Sequence, residues 1–252
     1  MTKLIEFFKQ PGKISAFLIH LTISGLLVGT LVLAVYFLWY PSPYLEHDGA
    51  RDILRIVILV DVVLGPLLTL VLFRRGKKGV VRDVGMVAII QLVAFVYGAG
   101  LMMQYRPAFL VFADDAFFAV RWPDVEPNTK DHERLDAIRV PVGPTMVMAE
   151  LPADIEERKR IRSRAAVPFQ GDLFREVTPE RWKNILDKSI DMEKKVSAQP
   201  SLADSWAQFR REFLDNSGTT LDKLAFYEVY LRSSSIFIAI ERDSRKIYGW
   251  TN

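Results

Sequence analysis

Residues 55–73 read RIVILVDVVLGPLLTLVLF, an almost unbroken aliphatic run that contains one carboxylate, Asp61. A membrane-spanning helix needs roughly 20 apolar residues, and this run has about that length. A charged side chain at mid-membrane costs about 2.5–3.5 kcal/mol on insertion scales. The stretch therefore predicts a membrane helix whose carboxylate faces a protein interior and not lipid.

Three apolar runs predict three transmembrane helices, at about residues 14–40, 53–73 and 84–103. The first run is longer than the apolar region of a secretory signal peptide, so we expect a retained anchor. It ends in Tyr36, Trp39 and Tyr40, which are typical of a membrane–water interface. The predicted fold is a membrane protein with three N-terminal transmembrane α-helices, followed by a small soluble α+β domain. The two domains are placed at residues 1–103 and 104–252.

The distribution of charge predicts the orientation of these helices. Residues 1–103 carry ten Lys/Arg and six Asp/Glu, whereas residues 104–252 carry 23 and 24. Basic residues concentrate in the N-terminal tail and in the loop at residues 74–83, and such segments stay in the cytoplasm. The C-terminal domain is then periplasmic, in a bacterial inner membrane. The basic stretch at residues 2–13 is either an amphipathic segment on the inner leaflet or a solvated tail.

The C-terminal half combines strand and helix signals. Residues 106–122 predict two strands joined by a turn at Asp114-Asp115, and residues 144–151 predict another strand. The stretch 123–136 is polar and predicts a loop. Three helices are expected after it, with Asp154, Thr178 and Ser201 as N-caps, the second running to about residue 196. Residues 226–250 are rich in β-branched and aromatic residues and predict a closing strand meander.

The sequence offers no case for an enzyme. It has no cysteine, and its three histidines, His20, His47 and His132, lack metal-ligand spacing. No phosphate-binding loop or nucleophile elbow is present. The C-terminal half has no excess of basic residues, which argues against nucleic-acid binding. We therefore predict no catalytic residues, no metal and no cofactor.

The membrane half carries the candidate site residues. Asp61 lies about 12 Å from the outer end of its span at 1.5 Å per residue, a depth that Ser24 and Tyr97 share. Either hydroxyl is a candidate hydrogen-bond partner for the carboxyl, whereas Arg55 lies about 120° around the same helix. Gly65-Pro66 follows one turn later and should kink the span.

Gly25 and Gly29 are spaced four residues apart in the first span, which allows a second helix to approach closely. They serve either packing within the bundle or contact with a partner helix. Asp61 has the same two interpretations: it joins the three helices to one another, or it holds a helix of another protein.

The stretch WYPSPYLEHDGARDILRIVILVDVVLGPLLTLVLF, with a basic loop after it and RPAFLVFADDAF further on, resembles the TfpX/TfpZ family of type IV pilin accessory proteins. The resemblance rests on Trp39-Tyr40-Pro41, on Asp61 with residues 63–69, and on Arg106-Pro107. It covers about the first 120 residues well. It implies an inner-membrane protein that promotes or modulates assembly of a cognate type IV pilin, without catalysis.

These observations give a mechanistic hypothesis with two contacts. The spans around Asp61, Gly65 and Pro66 hold the membrane helix of the pilin, and the outer domain recognises the pilin head. The partners expected are a cognate pilin and the lipid bilayer, with a homo-oligomer also open. Three other functions stay open from the residues alone: a membrane-anchored sensor, an envelope scaffold, and a small proton-linked transporter subunit that uses Asp61.

Overall fold

The computed structural model describes residues 12–47, 49–74, 78–125, 127, 129–164, 166–215 and 219–251. The chain divides into two compact units, Met1–Gln104 and Tyr105–Asn252, here called the N-terminal and C-terminal units. The predicted amphipathic stretch at residues 2–13 lies almost wholly outside the described residues.

The described part of the N-terminal unit contains three helices long and apolar enough to cross a membrane, which confirms the three predicted apolar helices. They are α1 (Lys13–Trp39), α3 (Ala50–Leu72) and α4 (Val80–Gln104), with a short helix α2 (Tyr44–His47) between the first two. Helix α3 lies at the centre, because both α1 and α4 pack against it. Large apolar side chains cover the outward faces, as a lipid environment requires; among them are Leu26, Leu33, Val71, Ile89, Val93 and Val96.

Tyr40 corrects one sequence expectation. Tyr36 is exposed, as an interfacial aromatic residue should be, but Tyr40 is buried and its hydroxyl donates to the Met102 carbonyl at 3.0 Å. Tyr40 therefore joins the end of α1 to the last turn of α4. A buried tyrosine hydroxyl needs such a partner, and an unsatisfied carbonyl at a helix end supplies it.

Seven strands form one mixed sheet in the described part of the C-terminal unit, in the order β4-β3-β1-β2-β5-β6-β7. The pairs β1/β3 and β2/β5 are parallel and the others are antiparallel. The strands are β1 (Pro107–Ala113), β2 (Ala116–Arg121), β3 (Thr145–Ala149), β4 (Phe174–Glu176), β5 (Leu224–Tyr230), β6 (Ser235–Glu241) and β7 (Ile247–Thr251). The predicted hairpin and the closing meander are confirmed, and the short strand β4 was not predicted.

The α-helices in the described part of this unit are α5 (Trp122–Val125), α6 (His132–Ile138), α7 (Ile155–Arg164), α8 (Pro179–Leu186), α9 (Met192–Ala198) and α10 (Ala203–Phe209), and α10 continues as a π-helical segment, Arg210–Leu214. Helices α5 and α6 lie where a loop was expected. Asp131 is the N-cap of α6, because its side chain accepts a hydrogen bond from the Arg134 N–H. The polar composition of this stretch had indicated a loop. The expected helix from Thr178 to about residue 196 is two helices, because Asp191 caps a second one, α9.

The three predicted N-caps have different outcomes. The side chains of Asp154 and Thr178 accept hydrogen bonds from the N–H groups of Glu157 and Arg181, at 2.7 Å and 3.3 Å, so both predictions are confirmed. The prediction for Ser201 is wrong. It lies inside a 3₁₀ turn (Pro200–Leu202) that leads directly into α10, which has no side-chain cap.

Aromatic side chains fill the core of the C-terminal unit. Phe112, Phe117 and Tyr227 form a mutual edge-to-face triangle with ring centroids 5.0–5.9 Å apart, a geometry that aromatic quadrupoles favour. The Tyr227 hydroxyl donates to the Ile185 carbonyl at 3.1 Å and thereby attaches α8 to the sheet. Burial raises the pKa of Tyr227, so this group remains a donor at any physiological pH.

Thr178 caps a helix and Ser201 does not, so the two residues should differ in their effect on stability. Thr178→Ala removes a cap from α8, whose Trp182 and Ile185 are buried, and should cost about 1 kcal/mol. Hydrogen exchange across residues 179–186 should accelerate about fivefold. Ser201→Ala is the control and should leave exchange in α10 unchanged. Equal acceleration in both variants would show that the Thr178 cap contributes nothing specific.

Candidate functional site

Polar side chains cluster in the interior of the three apolar helices. Ser24, Asp61, Thr69 and Gln91 are buried although each belongs to an apolar span, and Asp61 is only 5% exposed. His20 is half-buried beside them. Polar groups buried among apolar side chains need hydrogen-bond partners, so this cluster should be connected internally.

Hydrogen bonds join the cluster across all three helices. The Gln91 side chain on α4 lies beside the Asp61 carboxyl on α3 and His20 on α1, and its Oε1 is buried without a hydrogen-bond partner among the described residues. Its Nε2 also donates to the Val60 carbonyl at 3.3 Å. His20 Nδ1 and Thr69 Oγ1 lie 2.6 Å apart and share a hydrogen bond whose direction depends on the histidine tautomer. Gln91 is therefore the residue through which the three helices share one polar network.

A π-helical segment presents Asp61 to this network. Residues Leu59–Leu64 are π-helical, and the Gly65 N–H donates to the Val60 carbonyl five residues earlier. Pro66 follows and has no N–H to continue the regular α-helical pattern. Segments of this kind inside α-helices are frequent at functional sites. The helix resumes as Gly65–Leu72, with Gly65, Pro66 and Thr69 buried.

Gly65 makes the approach of Gln91 possible. A β-carbon built on Gly65 would overlap the amide group of Gln91. The amide thus lies directly against the backbone of α3, where a larger residue would exclude it. Glycine is required here for close approach, since its backbone angles are ordinary helical ones (φ −62°, ψ −56°).

An open groove of about 480 Å³ lies above the polar cluster. One wall is a stripe along α1 and the other a stripe along α4, while Asp61, Thr69 and Phe73 of α3 form the floor. The α1 wall extends from Ala16 to Val28, roughly 18 Å at 1.5 Å per residue. The walls are mostly apolar and comprise Ala16, Ile19, His20, Ile23, Ser24, Leu27 and Val28 on α1, and Val84, Ala88, Gln91, Leu92 and Phe95 on α4.

The structure separates the sequence-predicted residues into two groups. Asp61 lines the groove and Gly65 and Pro66 lie within the bundle, as does Ser24. Arg55 pairs with Asp52 at 2.9 Å, away from Asp61, as expected. Three other residues, Gly25, Gly29 and Tyr97, lie on outward faces of α1 and α4.

Tyr97 is not the partner of Asp61. It is 68% exposed, because it follows Gln91 by six residues and therefore points about 120° away from it around the helix. Gly25 and Gly29 do not mediate packing within the described bundle, since a β-carbon on either would meet nothing within 4 Å. Residues on every face of a helix share the same depth in the membrane, so depth does not determine which way a side chain points.

Sequence reasoning did not assign His20, Thr69 and Gln91 to the Asp61 network. The available signal was their polarity within apolar spans, because such side chains usually face a bundle interior. Which of these side chains contact one another depends on how each helix is rotated about its own axis.

The C-terminal unit has two clefts of about 370 and 650 Å³ lined by polar and charged side chains. No group of three potential metal ligands occurs among the described residues of this unit. Asp114 and Asp115 of the hairpin turn form ion pairs with Arg162 at 2.7 Å and Lys188 at 3.3 Å. These carboxylates therefore hold the turn to neighbouring helices, in agreement with a turn-forming role.

Comparison with known proteins identifies the family. A fimbrial assembly protein of Dichelobacter nodosus, serogroups C1 and C2, is 36% identical over 113 residues, which span 43% of this chain and 83% of that protein. The chain belongs to the family of fimbrial assembly proteins. This confirms the resemblance to type IV pilin accessory proteins at the level of the family.

Further matches agree with this membership. The serogroup I fimbrial assembly protein of the same organism is 29% identical over 214 residues, or 81% of this chain and 69% of that protein. The serogroup E1 protein is 27% identical over 212 residues, with the same shares covered. The family model described as fimbrial assembly protein FimB matches residues 9–49, a segment that includes His20, Ser24 and Tyr40. No solved structure matches the chain.

The close approach at Gly65 predicts a sharp difference between glycine variants of this fimbrial assembly protein. Gly65→Ala should displace the Gln91 amide, break its hydrogen bond to the Val60 carbonyl and remove it from beside the buried Asp61 carboxyl, at a cost of about 1–3 kcal/mol. Thermal unfolding of the full chain in detergent should show a clearly lower Tm. Gly29→Ala is the matched control and should melt like the unmodified protein. If Gly65→Ala and Gly29→Ala have the same Tm, the Gly65–Gln91 contact does not stabilise the bundle.

Proposed function

We propose that this protein promotes the assembly of a type IV pilin by holding the membrane helix of the pilin in the groove between α1 and α4. Membership of the fimbrial assembly family supports the role in assembly. The single observation that carries the mechanism is the groove itself, which is open, mostly apolar and long enough for about three turns of a helix.

The proposed location is the bacterial inner membrane. Lys3 and Lys9 precede α1, Lys13 is its first residue, and the loop between α3 and α4 is strongly basic. Positively charged short segments remain cytoplasmic. The C-terminal unit, which follows α4, is then periplasmic. A pilin before assembly has the same disposition, with one apolar helix in the membrane and a globular head outside, so both parts of this protein can reach it.

The polar floor of the groove gives the contact its selectivity. In lipid, van der Waals packing and interhelical hydrogen bonds drive helix association, because lipid is as apolar as the helices. A purely apolar groove would therefore discriminate poorly between a protein helix and lipid chains. Asp61 and His20 border the groove and offer hydrogen bonds to a polar group on the incoming helix. No catalytic step is part of this proposal.

Filling the groove tests its role without altering the polar cluster. Ala88 lines the groove, whereas Ala94 is exposed on α4 outside it. Ala88→Trp should block an incoming helix and strongly reduce the number of surface fimbriae, with the level of this protein in the membrane unchanged. Ala94→Trp adds the same bulk elsewhere and should leave fimbriation normal. Normal fimbriation in cells carrying Ala88→Trp would remove the groove from the mechanism.

The Asp61 carboxylate allows a second test. Asn has nearly the same shape and keeps an oxygen that accepts from the Gln91 amide, so Asp61→Asn should preserve the fold. It should nevertheless reduce fimbriation if the carboxylate contacts the pilin helix. Membrane level and fimbriae are measured together. Unchanged fimbriation at an unchanged protein level would make Asp61 a residue of internal packing only.

A further inference from the structure

The strand register places three chain segments at one end of the sheet in the C-terminal unit. Pro107, the first residue of β1, pairs with Arg121, the last residue of β2. Strand β3 runs parallel to β1, with Thr145 beside Phe109, so it also begins there. We call this end, marked by Pro107, Arg121 and Thr145, the entry end, because the chain enters the unit through it.

The loop of residues 139–144 is fixed at the entry end. The Arg106 guanidinium donates to the carbonyls of Val140 at 3.0 Å and Gly143 at 3.3 Å. On the other side, Thr145 Oγ1 donates to the Ile138 carbonyl at 3.0 Å and accepts from the Val140 N–H at 3.1 Å. This geometry holds two aliphatic side chains outward: Val140 is 40% and Val142 51% exposed.

Aromatic and cationic side chains surround this loop. The Arg121 guanidinium lies 5.4 Å from the centroid of the exposed Tyr105 ring. The Arg139 guanidinium lies 4.5 Å from the centroid of the Trp122 ring. Arg121 and Arg139 also form ion pairs, with Asp124 at 2.7 Å and Asp136 at 3.2 Å. Exposed aliphatic tips backed by Tyr, Trp and Arg are the combination found where proteins meet the membrane–water interface.

Covalent continuity limits how far the entry end can be from a bilayer that contains α4. Gln104 is the last residue of α4, and Arg106 follows two residues later. Consecutive Cα atoms are 3.8 Å apart, so these two lie within about 8 Å of each other. Arg106 in turn binds the loop directly. The exposed valines are therefore within reach of the interface at which α4 ends.

We propose that the Val140–Pro141–Val142 tip and Tyr105 form a lipid-contacting surface that inserts into the headgroup region of the leaflet at which α4 ends. This inference rests on the membrane insertion of α4 and does not depend on binding of a pilin.

A depth-quenching experiment tests this surface on the full chain. The protein has no cysteine, so a single introduced one can carry an environment-sensitive fluorophore without further changes. Val142→Cys is compared with Ile155→Cys, an aliphatic position 66% exposed at the start of α7. Val93→Cys on the outer face of α4 is the positive control. Each labelled protein is placed in vesicles of phosphatidylethanolamine and phosphatidylglycerol that contain nitroxide-bearing lipids, with the nitroxide near the headgroup for the labels at Val142 and Ile155 and near the end of the acyl chain for the label at Val93.

The proposal predicts that the label at Val142 is quenched several-fold more strongly than the label at Ile155 and emits at shorter wavelength. The quencher is present in both leaflets, so the orientation of the reconstituted protein does not affect the comparison. Equal quenching at Val142 and Ile155, with strong quenching at Val93, would overturn it. So would a Val142 label that is shielded from both lipid nitroxide and aqueous iodide, because protein would then cover the loop.

Discussion

The contact between the Gln91 amide and the Asp61 carboxyl, made across Gly65, is the interaction on which the membrane bundle depends. A carboxyl group among apolar helices is costly unless donors surround it. Gln91 reaches Asp61 only because α3 has no side chain at position 65. The same amide interacts with His20, which in turn meets Thr69. Gln91 and His20 thus both connect their helices to α3 through hydrogen bonds.

This arrangement also explains why the groove is open. Helices α1 and α4 both pack against α3, and the polar cluster occupies the region where their inner faces converge. Within the described residues the buried Gln91 Oε1 lacks a hydrogen-bond partner, so the cluster keeps a free acceptor beside the groove. A groove with apolar walls and a polar floor is then available to a helix that comes and goes, as an assembly factor must allow.

The features that depend on neighbouring residues could be predicted from the sequence. The features that depend on how a helix is rotated about its axis, or on contacts between distant residues, could not. The apolar lengths of the spans, the hairpin at Asp114-Asp115 and the caps at Asp154 and Thr178 all follow from neighbouring residues. The burial of Asp61 follows from the cost of exposing it to lipid. The prediction for Tyr97 was wrong because its depth in the membrane matches that of Asp61, but its side chain points away from Asp61 around α4. Serine is a common N-cap residue, but Ser201 lies within the 3₁₀ turn that precedes α10 and does not cap that helix.

The central claim, that the groove receives a helix of the fimbrial subunit, is tested most directly by site-specific photo-crosslinking in cells that assemble fimbriae. Leu92 lines the groove, and its neighbour Val93 faces outward on the same turn of α4. A photo-reactive phenylalanine analogue replaces each residue in turn. The account predicts a crosslinked product that contains the fimbrial subunit from position 92 and none from position 93. Equal yields from both positions, or subunit captured only from position 93, would contradict it.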